Sequence, residues 1–142
     1  MTSFAGDGGL PGAVRDADSP SWAVRAAAGR RLAAAAEVPE IAEVLQRLLL
    51  DAYDTGVVQE TAGALLQRRD MWGLRAVLAA LARAVSFSVV DQLAAEVDCD
   101  PRWMSGEPGG NEFFQQLRVL ATDPDEGVRE EAQRLLSRLS TP

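Results

Sequence analysis

The chain has 142 residues, enough for one folded domain with a continuous core, and 47% of them are hydrophobic. Its formal net charge is −7, which repels phosphate backbones and anionic lipids, so we expect neither nucleic acid nor a membrane as a partner. Histidine and lysine are both absent, which removes the commonest general base, the commonest metal ligand and the Schiff-base nucleophile. We therefore expect no catalytic residue, no metal site and no cofactor.

Residues 1–18 are rich in glycine, which predicts a flexible N-terminal segment ahead of the folded domain. The stretch from Leu10 to Ala17 leaves a second interpretation open, the remnant of a preceding helix. We expect the folded domain to cover residues 19–139.

Helix-start signals and amphipathic stretches alternate through this domain. Ser19-Pro20 and Asp123-Pro124 each place a capping side chain ahead of a proline, and Asp54 and Thr55 can cap the second unit. Apolar residues then recur with the 3.6-residue period of a helix. The pattern predicts seven helices, over residues 20–37, 39–52, 55–69, 71–84, 87–97, 111–122 and 125–139.

An internal repeat underlies these helices. Segments that begin at Pro20, Asp54 and Pro124 align without gaps, and their valines at 24, 58 and 128 are 34 and 70 residues apart. Gly29 and Gly63 share the 34-residue spacing, and a glycine repeated inside helices predicts a close approach of neighbouring helices. We expect about three and a half to four helix pairs, with a degenerate third unit and an irregular loop at about 98–111.

The pattern Asp/Ser-Pro-x-x-x-Val-Arg-x-x-Ala-x-x-x-Leu, present at residues 19–32 and 123–136, resembles the HEAT-like repeats first noted in phycobilisome lyases. The resemblance covers about residues 19–139. It implies an all-α fold in which helix pairs stack into a right-handed superhelix, or solenoid. It also implies that Arg25 and Arg129 bond an inter-helix turn or an aspartate of a neighbouring repeat. The alternative is a ladder of arginines that faces a ligand.

The second helices of HEAT-like pairs usually line a concave surface where partners bind, so the resemblance puts candidate contact residues there. The stripes of these helices that lie outside the core carry Glu43, Arg47, Trp72, Arg75, Arg83 and Arg118. Trp72 and Arg75 stand out because tryptophan and arginine are enriched at binding hot spots. The alternative is that Trp72 only covers the core at the start of its helix. Trp103, in the irregular loop, is a further candidate contact, unless it packs back over the stack.

These observations predict a non-catalytic protein-interaction module, either an inhibitor or immunity-type protein or an adaptor, of bacterial origin. The acidic charge favours a basic partner. The single cysteine, Cys99, excludes an internal disulfide and fits a reducing, cytoplasmic location. A HEAT-like enzyme or accessory lyase that acts on a chromophore or a nucleobase is the alternative, and a homodimer also stays open.

Overall fold

The computed structural model describes residues 9–100 and 110–140, and within these ranges the protein is all-helical, with eight α-helices and no strand. The fold class predicted from the sequence is confirmed as all-α. The helices are α1 Gly9–Asp16, α2 Trp22–Leu32, α3 Pro39–Leu49, α4 Thr55–Gln67, α5 Met71–Arg83, α6 Phe87–Asp98, α7 Gly110–Leu120 and α8 Glu126–Ser140. The helix predicted over 20–37 is shorter than expected, because it ends at Leu32 and a 3-10 turn follows over Ala33–Ala35.

The segment expected to be flexible contains a helix. α1 packs against α2 and buries Ala13 completely, and Arg31 donates a hydrogen bond of 2.9 Å to the carbonyl of Gly9. The structure of residues 9–16 agrees with the second interpretation, a helix that precedes the first repeat. Small side chains on its inner face let this short helix lie close to α2. Residues 1–8 lie outside the described part of the chain.

In both proline-containing turns, the helix is capped two residues later than predicted. Ser21 caps α2 by accepting a hydrogen bond from the Val24 N–H, while Ser19 accepts one from the Ser21 N–H. Asp125 likewise accepts a bond from the Val128 N–H, while Asp123 accepts one from the Asp125 N–H. The residue before proline therefore stabilises the turn, and the residue after proline caps the helix.

Three helices, α2, α4 and α6, form a parallel row in which α4 lies between the other two. Gly29 of α2 meets Thr61 of α4 so closely that a Cβ at Gly29 would overlap the Thr61 hydroxyl oxygen. Gly63 of α4 lies opposite Glu96 of α6, where a Cβ would be 3.8 Å from a carboxylate oxygen. In each contact, the two residues lie at nearly the same number of residues from the start of their own helix. The helices therefore run in the same direction and are in register. The close approach predicted at Gly29 is confirmed, whereas at Gly63 the contact is an ordinary one.

A second set of helices, α3, α5 and α8, packs on the other side of the hydrophobic core. α3 packs against α5, and α8 packs against both α5 and α7. Gly127 allows the start of α8 to approach α5, since a Cβ there would lie only 2.8 Å from the Cβ of Ala82. In a regular repeat, α8 would instead lie beside α6 and extend the row of α2, α4 and α6. In this structure an ion pair of 3.2 Å between Arg138 of α8 and Asp98 of α6 connects α8 to that row.

The repeated arginines make the same contact in the first and last units. Arg25 donates to the carbonyl of Ser19 and Arg129 to the carbonyl of Asp123, each at 3.0 Å and each six residues back along the chain. Arg25 also donates to the carboxylate of Asp51 at 2.9 Å. The structural role expected for these arginines is confirmed, because both guanidinium groups tie a helix to the turn that precedes it.

Candidate functional site

A groove of about 510 Å³ runs between α3 and α5 and ends at the turn before α8. Small side chains form its apolar floor, namely Ala36, Pro39, Ala42, Ala76 and Ala79. Trp72, a residue that is 49% exposed, also lines the groove. Charged residues from α3, α5 and the turns before α3 and α8 complete the lining, namely Glu37, Glu43, Arg75, Arg83 and Asp125. The groove thus combines small apolar side chains with charged residues and one large exposed ring.

Four of the seven residues predicted to bind a partner line this groove, namely Glu43, Trp72, Arg75 and Arg83. The other three do not. Arg47 lies in a second hollow between the turns before α2 and α4, and it pairs with Asp18 at 3.1 Å. Arg118 is on α7, where its guanidinium lies 4.8 Å from the centre of the Phe114 ring. Trp103 falls outside the described residues.

Gln46 is a groove residue that the sequence reasoning missed. It is 8% exposed, it donates a hydrogen bond of 2.9 Å to the carbonyl of Ala76, and its carbonyl oxygen accepts one of 3.2 Å from Arg83. It therefore connects α3 to α5 across the groove and orients the guanidinium of Arg83. The signal in the sequence is a glutamine directly after the apolar pair Val44-Leu45, but the partners of that glutamine lie 30 and 37 residues away.

Arg75, one of the predicted contact residues, has an internal partner. Its guanidinium donates two hydrogen bonds to the carboxylate of Asp123, at 2.8 and 3.0 Å, and the Asp123 side chain is only 9% exposed. This paired geometry is the strong form of an arginine–carboxylate interaction. Arg75 consequently fixes α5 to the turn before α8, so we assign it a role in shaping the end of the groove.

The ion pairs around the groove shift the pKa values of their members. The hydrogen bond from Arg75 lowers the pKa of Asp123 and outweighs the opposite effect of burial, while Asp123 raises the pKa of Arg75. The hydrogen bond from Arg68 similarly lowers the pKa of Glu37, at the lip of the groove. Burial would raise the pKa of Asp70, but hydrogen bonds from Arg68 and from the backbone of the next helix lower it overall. These carboxylates all favour the charged form in the folded protein.

Replacing Asp123 with asparagine is expected to lower the free energy of unfolding at pH 7 by about 1–2 kcal/mol, because Arg75 loses its charged partner. In the unchanged protein, the lowered pKa of Asp123 means that its stabilising effect is complete above the pKa of an unfolded aspartate, about 3.9. The effect is lost as the pH falls through the lower pKa of the folded state. Urea unfolding followed by circular dichroism at pH 7 and pH 3 should show the difference between the two proteins shrinking in acid. A difference that stays constant would contradict this assignment.

Other kinds of site were sought in the same parts of the chain. Among residues 9–100 and 110–140, no group of three histidine, cysteine, aspartate or glutamate residues could hold a metal ion. Each helix in those ranges is too short or too polar to span a bilayer.

No protein-family model matches the chain, and no curated protein or solved structure matches it either. The fold and the site define an all-α protein with a pre-formed, partly apolar groove between two neighbouring helices.

Proposed function

We propose that this protein is a non-catalytic interaction module that binds a basic protein partner in the groove between α3 and α5. The proposal rests on one observation: Glu43, Trp72 and Arg83 line the same groove, together with small apolar residues. Interface hot spots are enriched in tryptophan and arginine, and they lie in apolar surroundings with a polar rim. The groove has this composition.

The proposal includes a fold of HEAT-like helix pairs wound into a right-handed superhelix. Two observations support it, namely the row of α2, α4 and α6 and the repeated bonds of Arg25 and Arg129 to their preceding turns, although α8 departs from the row and packs against α5 and α7. In such a fold α3 and α5 are second helices of consecutive pairs and line the inner, concave face. The groove would then lie on the surface that repeat proteins use for binding.

The basic character of the partner is argued from charge. The chain has a net charge of −7, and two charged groups of the groove, Arg75 and Glu37, are already paired with other residues of the chain. Of the other charged lining residues, Glu43 and Asp125 are negative and Arg83 is positive, so carboxylates are in excess by one. Opposite charge on the partner would raise the rate of encounter and favour the correct orientation. An inhibitor, an immunity-type protein or an adaptor in a bacterial cytoplasm would work in this way.

Affinity capture from a lysate of the source organism tests the proposal. Trp72→Ala removes the exposed ring, and because this ring is half exposed the fold should be retained. We expect the unchanged protein to hold a basic protein that the variant loses, with at least about a tenfold fall in affinity, as is typical of a hot-spot tryptophan.

The control is Val119→Ala, which shortens an exposed apolar side chain on α7, outside the groove. It should hold the same basic protein as the unchanged chain. Retention of the same proteins by all three chains, or of no specific protein by any of them, would contradict binding through the groove.

A further inference from the structure

One edge of the molecule carries a row of exposed aromatic side chains. The turns before α2, α4 and α6 share this edge because the three helices are parallel and in register. An aromatic residue stands at each turn, and the exposed fractions are 52% for Trp22, 97% for Tyr53 and 82% for Phe87. Trp22 reaches the neighbouring repeat, since a Cβ at Gly56 would lie 3.4 Å from its ring. We call Trp22, Tyr53 and Phe87 the aromatic edge.

An aspartate lies within four residues along the chain of each ring of the aromatic edge. Asp18 lies four residues before Trp22, Asp54 directly follows Tyr53, and Asp91 lies one turn after Phe87 on α6. Asp54 is held in place because it caps α4 through a hydrogen bond of 2.8 Å from the Gly56 N–H. The edge therefore has three exposed rings, each with an aspartate within four residues along the chain.

The arginines that reach this edge do not reverse its charge. Arg25 donates to Asp51 at 2.9 Å, and both side chains are largely buried. Arg47 pairs with Asp18 at 3.1 Å, and this pair is exposed, with 56% and 69% of the two side chains accessible. An exposed ion pair contributes little, so a cation from another molecule can replace Arg47 at Asp18. Each arginine is thus balanced by a carboxylate, which leaves Asp54 and Asp91 in excess.

We propose that the aromatic edge binds an extended basic peptide segment of a protein partner, with one arginine or lysine over each ring. A cation above an aromatic face is attracted by the ring, and a neighbouring carboxylate strengthens the attraction. Packed helices are about 8–10 Å apart and an extended chain advances about 3.3 Å per residue. A peptide laid across the three helix starts therefore reaches the next helix at about every third residue, and the cations of the matching peptide have that spacing. A second copy of this chain, itself at −7, would be repelled.

This surface is separate from the groove, and its test does not depend on the groove. The probe is a fluorescein-labelled peptide with three arginines, each separated from the next by two residues of glycine and serine. Fluorescence anisotropy at low salt with the full chain should show saturable binding. The double variant Tyr53→Ser, Phe87→Ser should raise the Kd about tenfold, since each cation–π contact contributes about two- to fivefold. Val119→Ala, which shortens an exposed apolar side chain on α7 outside both surfaces, should leave the Kd unchanged.

Two controls keep the result specific. A peptide with its three arginines adjacent should bind more weakly than the spaced one, and circular dichroism should show that the double variant is folded. Equal Kd values for the double variant and the unchanged chain, equal binding of the two peptides, or no saturable binding would overturn the proposal. Sedimentation showing that the unchanged chain dimerises and the double variant does not would also overturn it, because the edge would then join two copies.

Discussion

Replacing Gly73 with alanine is expected to lower the free energy of unfolding by about 3 kcal/mol. Gly73 lies in the first turn of α5 and is buried against α4. A Cβ at this position would overlap the carbonyl oxygen of Leu65 and lie 2.9 Å from its carbonyl carbon. Both atoms belong to the backbone of α4, so neither can rotate away and the two helices would have to separate. Urea unfolding followed by circular dichroism measures the change.

The matched control is Gly63→Ala, the same substitution ten residues earlier. A Cβ at Gly63 would meet only the carboxylate of Glu96, at 3.8 Å, which is ordinary contact. Because alanine favours a helix over glycine, this variant should be more stable than the unchanged chain by up to about 1 kcal/mol. If Gly73→Ala were tolerated as well as Gly63→Ala, the α4–α5 turn would be looser than described. Such a result would also weaken the case for a pre-formed groove, since Trp72 adjoins Gly73.

The second large effect is expected at the contact between α2 and α4. Gly29→Ala should lower the free energy of unfolding by about 2 kcal/mol, because the added methyl group overlaps the Thr61 hydroxyl and lies 3.0 Å from the Thr61 Cβ. Thr61 is fully buried, and within the described residues its hydroxyl has no hydrogen-bond partner. Removing that hydroxyl therefore sacrifices no hydrogen bond.

A double-mutant cycle tests this contact. Thr61→Ala alone should change the stability little, because losing an unpaired buried hydroxyl offsets the loss of a methyl group. The Gly29→Ala, Thr61→Ala double variant should recover at least about 1 kcal/mol of the loss caused by Gly29→Ala alone. If the two changes in the free energy of unfolding simply add in the double variant, overlap with Thr61 is not the cause of the destabilisation by Gly29→Ala.

The helices and one close contact were predictable from the sequence because both depend on local patterns. Apolar residues repeat at the helical period within each segment, and the 34-residue spacing marked Gly29 as a point of close approach. The short helix α1 was harder to predict, because glycine and proline in Gly9–Asp16 favour a turn and only packing on α2 stabilises the helix.

The details of the candidate site depend on contacts between distant parts of the chain. Trp72 and Arg83 could be assigned to the groove because helical spacing puts them on one face of α5. The partner of Arg75 could not be predicted, because Asp123 is 48 residues away and reaches it only when α8 packs on α5. Gln46 was missed for the same reason. The spacing of residues along the chain identifies which of them share a helix face. It does not identify which residues of other helices pair with them through ion pairs or hydrogen bonds.

The most direct test of groove binding compares two substitutions that change the net charge equally. Glu43→Arg reverses a charge inside the groove, whereas Glu130→Arg reverses one on the exposed surface of α8, outside it. The captured basic protein would be titrated into each folded variant by calorimetry. If the groove binds the partner, Glu43→Arg should raise the Kd at least about tenfold and Glu130→Arg should change it by less than about twofold. An equal loss of affinity in both variants would contradict groove binding and show that net charge alone attracts the partner.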